Sequence, residues 1–165
     1  MKPEFYLNIT TKLSKKPKLS NAIVRITKAI TYFIYAFYPA FLAVLFFTKS
    51  PLLLKSILVP FVSFVILSVA RHYINAPRPY EKIEGLVPLY NKKTVGKSFP
   101  SRHTFSGFVI GTVALFFNLH IGAEVLVLSL VLAVCRILCG VHYLRDTIVG
   151  ALFGIASGLI GMLLF

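Results

Sequence analysis

Two stretches of nineteen residues, 29–47 and 147–165, carry no charged side chain, and that restricts the chain to one kind of environment. A helix of that length is about 28 Å long, close to the thickness of a bilayer's hydrocarbon core. Inside hydrocarbon every backbone N–H and C=O must find a partner within the protein, which a helix achieves segment by segment. The rest of the composition agrees: 57% of the side chains are hydrophobic and 14% are charged, too little polar surface to cover a water-soluble globule of this size. The expected architecture is an all-α integral membrane helical bundle.

The order of segments follows from where the charges fall. Residues 1–20 hold Lys12, Lys15, Lys16 and Lys18 around Pro17, too polar to cross, and read as a basic interfacial segment at the lipid headgroups. Their start lacks the apolar core of a cleaved signal. Apolar runs over 29–47, 52–74, from Ser101 to about Leu119, from about Ala123 to the neighbourhood of Arg136, and over 147–165 give about five transmembrane helices. Residues 80–100 make the one long polar loop, in which Lys92, Lys93 and Lys97 read as solvated. No stretch is long enough to bury a second core, so residues 1–165 form a single domain. Gly150, Gly154 and Gly158 recur every four residues, a pattern for close packing inside the bundle. Cys135 and Cys139, one helical turn apart, read as buried thiols. The formal charge of +13 sits at the helix ends and connections, which points to anionic membrane lipids as partners and away from nucleic acid. Oligomeric state is not legible.

Counting crossings brings three polar clusters to one side of the membrane: Arg71 and Arg78; Ser101, Arg102 and His103; and Arg136, His142, Arg145 and Asp146. Guanidinium forks match phosphate oxygens and stay charged at every physiological pH, so the inventory suits a phosphoryl group. A two-metal phosphatase needs several carboxylate or imidazole ligands; the candidate region has only Asp146, with Glu81 and Glu84 in the adjoining polar loop. A metal-independent reaction without a cofactor is expected. His142 and Asp146 are four apart, so on a helix the carboxylate accepts a hydrogen bond from one ring nitrogen and leaves the other free to attack. His103 starts another helix, where the positive dipole end favours an anion, and is placed to protonate a leaving oxygen.

These segments resemble the three-part signature of the type 2 phosphatidic acid phosphatase family: Arg71 with six residues before Arg78-Pro79, Pro100-Ser101-Arg102-His103, and Arg136 with five residues before His142 and three before Asp146. The resemblance implies that His142 is a nucleophile forming a phosphohistidine, that Asp146 orients it, and that His103 is the acid and then the base. It implies that Arg71, Arg78, Ser101 and Arg136 hold the phosphate; Arg102 beside them either adds a headgroup contact or narrows the entrance. Three positions depart from the pattern, since Arg71, Arg102 and Cys135 stand where the family usually has Lys, Gly and Ser. The implied substrate is an anionic lipid phosphate or diphosphate in a bacterial plasma membrane, with undecaprenyl diphosphate first and phosphatidylglycerol phosphate or phosphatidic acid next.

Two other classes are weighed against this expectation. A vanadate-dependent haloperoxidase has a similar site, but five apolar crossings argue against it. A lipid-binding or lipid-transporting protein would use the arginines for headgroups alone. On the membrane face the signals conflict: the basic residues put the site in the cytoplasm by the positive-inside rule, whereas many members of the resembled family act outside.

Overall fold

A computed structural model describes residues 2–90 and 94–164; Lys92 and Lys93 lie outside them. The described residues are helical with no strand: α1 (Pro3–Ser14), α2 (Pro17–Phe47), α3 (Leu53–Ile74), a one-turn α4 (Pro79–Lys82), α5 (Arg102–Leu115), α6 (Leu119–Leu138) and α7 (Leu144–Leu164). Four helical stretches among them are long and apolar enough to cross a membrane: Pro17–Phe47, Leu53–Lys82, Leu119–Leu138 and Leu144–Leu164. Their outer faces leave large apolar side chains such as Phe61, Ile66, Leu130 and Leu152 uncovered by protein, as lipid contact requires.

The boundaries differ from the sequence expectation in three places, each for a local reason. The first spanning helix begins at Pro17 rather than near Ala29, because proline is well tolerated in a first helical turn and Lys18, Arg25 and Lys28 can stand at its exposed start. Residues 17–20 are thus the first turn of α2, and α1 packs on protein as well: Tyr6 and Thr10 are buried. The fourth apolar run starts at Leu119 instead of about Ala123, since the Asn118 side chain accepts from the His120 and Ile121 amides at 3.0 and 3.1 Å, a capping arrangement.

The third difference concerns α5. It stops at Leu115, not Leu119, and its 14 residues make a helix of about 21 Å, shorter than the hydrocarbon thickness. It need not meet lipid along its length, because ten of those residues are buried between α6 and α7. A Cβ placed on Gly150 would lie 2.7 Å from the Ser101 carbonyl oxygen, and one on Gly154 would lie 2.8 Å from that of Phe105. The glycine series is thus the face by which α7 lies backbone-to-backbone on α5. On the other side of α5, Phe105, Val109 and Ile110 pack with Ile30, Ile34, Leu67 and Leu132 into the main apolar core.

The pairing of α2 with α3 shows the same accounting of backbone groups. Pro60 lies inside α3 and has no N–H for the Ser56 carbonyl one turn earlier. The Tyr38 hydroxyl of α2 donates to that carbonyl at 2.9 Å. Cys135 and Cys139 are buried and unbridged.

The α5–α7 contact gives a prediction whose sign is opposite to helix propensity. Gly→Ala in a helix ordinarily stabilises by up to about 1 kcal/mol, but here the added methyl meets backbone that cannot move aside. Gly154→Ala is expected to destabilise by about 1–3 kcal/mol, read as a lowered melting temperature of the detergent-purified protein. An unchanged or raised melting temperature would contradict the close approach.

Candidate active site

The chain turns sharply between α6 and α7, and that turn carries the centre of the site. Gly140, at φ +70, takes a left-handed conformation that other residues adopt at a cost, and residues 141–143 then run straight into α7. His142 and Asp146 are 2% and 0% exposed. The Asp146 carboxylate oxygen Oδ2 lies 3.5 Å from His142 Nδ1 and accepts from the Tyr143 amide at 3.0 Å. Its shortest bond comes from Ser98, whose hydroxyl donates to Oδ2 at 2.5 Å. The Ser98 Oγ is also 3.4 Å from His142 Nδ1. With the carboxylate and hydroxyl both on the Nδ1 side, Nε2 of His142 is the nitrogen left for chemistry.

A second pair forms where α6 meets the start of α5. The Arg136 Nη2 is 3.1 Å from His103 Nδ1, and because a guanidinium only donates, Nδ1 is the acceptor and the ring proton sits on Nε2. Arg136 Nη1 donates to the Tyr90 hydroxyl at 2.7 Å. Its Nε is buried without a hydrogen-bond partner among the described residues, an arrangement that normally signals a missing acceptor.

Arg71 and Arg78 are buried too, at 5% and 4% exposure, but their named bonds run to the backbone. Arg71 Nη1 donates to the carbonyls of Ser98, at 3.2 Å, and Pro100, and Nη2 to that of Lys97. Arg78 Nε donates to the Gly96 carbonyl at 3.1 Å and Nη1 to that of Val141 at 3.2 Å. The Gly96 amide in turn donates to the Glu81 carboxylate at 2.9 and 3.1 Å. Residues 96–100 are therefore strapped to α3 and α4 by side chains. Ser101 closes the strap, its amide donating to the Asp146 carbonyl at 2.8 Å.

Among the sequence candidates, the structure gathers His142, Asp146, Arg78, Arg136, His103 and Arg71 at one end of the bundle. Ser101 is fully buried at the expected N-cap position of α5, yet its side chain makes no cap bond and instead accepts from Thr104 Oγ1 at 3.0 Å. Arg102 is exposed, its guanidinium carbon 5.8 Å from the Phe64 ring centroid. Arg145, 66% exposed, stands 3.5 Å from Asp146 Oδ1 and 5.2 Å from the Tyr143 ring. His72, His120 and Tyr73 are exposed, away from this group. Ser98 and Tyr90 take part without having been singled out in the sequence, and Glu81, weighed there only as a possible metal ligand, holds the Gly96 amide; Ser98, three residues before Ser101, had adjacency to the motif as its one signal. Tyr6 of α1 joins as well, accepting from the Leu144 amide at 3.0 Å.

Electrostatically the buried group is unbalanced: three guanidiniums face one buried carboxylate, Asp146. Burial holds the His142 imidazole well below the ordinary histidine range; the hydrogen bond to Asp146 opposes that shift, and Arg136 and Arg78 add to it. The Tyr90 phenol is pushed up by burial despite Arg136 beside it. The neutral imidazole, the protonated phenol and the unpaired Arg136 Nε together suit an incoming dianion.

Several known proteins are similar to this chain. The crystal structure of LpxE from Aquifex aeolicus matches with a TM-score of 0.76 at 28% identity, covering 96% of this chain and 93% of that one. A PAP2-type phosphatidylglycerolphosphate phosphatase from Bacillus subtilis matches with a TM-score of 0.65, covering 96% and 90%; its identity of 20% supports likeness of fold alone. The bacitracin transport permease protein BcrC of Bacillus licheniformis is 42% identical over 65 residues, which is 39% of this chain and 32%, about a third, of that protein. The sequence profile of the PAP2 superfamily matches residues 52–165, well over half of the chain and all three polar clusters, and the chain belongs to that family.

Proposed function

We propose that the protein hydrolyses a lipid phosphomonoester or diphosphate through a phosphohistidine on His142. The observation that carries the lipid half of this reading is a groove. A cavity of about 490 Å³ lies between α2, α3 and α5 against Tyr38, Pro60, Phe61 and Phe105. It adjoins a second one of about 290 Å³ lined by Arg102 and His103, sharing Ile34, Tyr35, Phe64 and Ser106 with it. An apolar groove that ends in cations fits a molecule with a hydrocarbon tail and an anionic head.

In the reaction, Nε2 of His142 attacks phosphorus while the bond to the leaving oxygen breaks. That oxygen takes the Nε2 proton of His103, whose ring enters this step as imidazolium, Arg136 having turned from Nδ1 to the phosphate. Water then attacks the phosphohistidine and gives a proton to His103 Nε2, and the N–P bond breaks to release phosphate and restore both rings. Asp146 balances the charge that develops on the His142 ring and keeps Nδ1 protonated. Arg136 Nε, the remaining Arg78 donors and the first amides of α5 stabilise the equatorial oxygens. Arg71 acts through the strap it holds. These guanidiniums stand where a metal-dependent enzyme would put cations, so the reading is metal-independent.

Arg102, at the mouth shared by groove and site, is the position for contact with a second phosphate or a headgroup. Undecaprenyl diphosphate is the first substrate proposed, on the resemblance of the motifs; phosphatidylglycerol phosphate and phosphatidic acid come next. Phosphate release from these three lipids by the purified protein tests the reading. Activity on at least one is expected to survive EDTA and to fall about a thousand-fold or more in His142→Ala. Full phosphate release from His142→Ala would overturn it, and loss in EDTA would remove its metal-free part.

The protonation state of the nucleophile gives a separate prediction. An ordinary histidine is half protonated near pH 6.5; a lowered value means that the unliganded His142 ring is still neutral there and takes its proton only at lower pH. An NMR titration of histidine-labelled protein is expected to place the His142 midpoint well below pH 6.5. A midpoint at or above that pH would contradict it.

A further inference from the structure

Ser98 is not part of the three-part signature, yet it makes the shortest hydrogen bond to the carboxylate that faces the nucleophile. Its Oγ has one proton and two lone pairs. An ionised carboxylate only accepts, so at 2.5 Å from Asp146 Oδ2 the hydroxyl proton is committed to that oxygen. The lone pairs are then what Ser98 offers to His142 Nδ1, 3.4 Å away. A lone pair is matched only by an N–H, and so the geometry selects the ring form with the proton on Nδ1. Asp146 asks for the same form, but its oxygen is 3.5 Å from Nδ1, at the outer limit for a hydrogen bond. Neither acceptor alone is at good distance; the two together flank the N–H.

The backbone leaves Ser98 little freedom to leave this position. Its amide donates to the Ala76 carbonyl at 2.7 Å, and its carbonyl accepts from Arg71 Nη1 at 3.2 Å. Arg71 also holds the carbonyls of the residue before and of Pro100, two residues on. The residue is 0% exposed, out of reach of bulk water.

We propose that Ser98 is a positioning residue for the nucleophile, joining Asp146 in fixing the Nδ1–H form and the orientation of His142 so that the Nε2 lone pair points to phosphorus. This rests on the reading of His142 as the nucleophile. Arg71 acts one step further out, by holding the strap on which Ser98 sits.

The test uses purified full-length protein, wild type and Ser98→Ala, with two readouts. The first does not need turnover: nitrogen NMR of histidine-labelled protein at pH 7.5 reports which ring nitrogen carries the proton. Wild-type His142 is expected to be protonated on Nδ1, and Ser98→Ala to show a mixture with Nε2–H. The second is kinetics on the best lipid phosphate, where Ser98→Ala is expected to lower kcat about 10–100-fold, the range typical of groups that orient a reacting residue, with KM little changed. In Asp146→Asn, adding Ser98→Ala is expected to cost much less than it does alone, because the two act as one unit. If Ser98→Ala does not fold, Ser98→Cys, similar in shape but a weak donor, carries both readouts.

An unchanged His142 ring form together with unchanged kcat would overturn the proposal, as would fully additive losses in the double variant. A shifted ring form in a protein whose wild type releases no phosphate from any lipid would leave the positioning role standing and sink the phosphatase reading instead.

Discussion

The site depends on two helices approaching so closely that their backbones touch. Gly150 and Gly154 remove the side chains that would separate α7 from α5, and the Ser101 amide can then bond the Asp146 carbonyl at 2.8 Å. That bond ties the start of α5 to the start of α7. Because His142 and Asp146 lie at one of these starts and His103 at the other, the register of the glycines sets the relation between the two histidines. Lipid offers no hydrophobic drive for helices to associate, so close packing of small residues and interhelical hydrogen bonds must supply it. The same features that hold the bundle together therefore align the chemistry.

A second theme is how arginines are made tolerable inside a protein that has almost no carboxylates to pair with them. Arg71 and Arg78 are met by backbone carbonyls from residues 96–100 and from Val141. This satisfies their donors without cancelling their charge. It also converts an irregular loop, whose carbonyls would otherwise be unpaired, into a fixed wall. Arg for Lys at position 71 fits this use: a lysine has a single nitrogen and cannot reach three carbonyls in the fork-like way that two guanidinium nitrogens do.

Much of this was legible in the sequence, and the reasons are physical. Charge-free runs and their flanking cations gave the spanning helices, and motif order with crossing parity gave a common end for the three clusters. Period-four glycines pointed to close packing within the bundle, which is where the structure has them. The misses share a cause. The start of α6 at Leu119 depends on one side-chain cap by Asn118, and the shortness of α5 depends on its being enclosed by neighbours; neither leaves a trace in hydropathy. For Arg71, expected to hold phosphate, residue type shows charge but not that Nη1 and Nη2 lie on the carbonyls of residues 97, 98 and 100. Ser98 escaped because a serine in a polar loop has no distinguishing pattern until a distant carboxylate is brought within 2.5 Å of it.

The imbalance of three buried guanidiniums against one buried carboxylate bears on the end of the catalytic cycle as well as its start. A cavity with surplus positive charge attracts inorganic phosphate for the same reason that it attracts the ester. In the proposed reaction the freed anion would lack the tail that lies in the groove, and that missing contact would make it the weaker occupant. Turnover would then be governed by this difference: the hydrocarbon chain would decide who enters, and its absence who leaves.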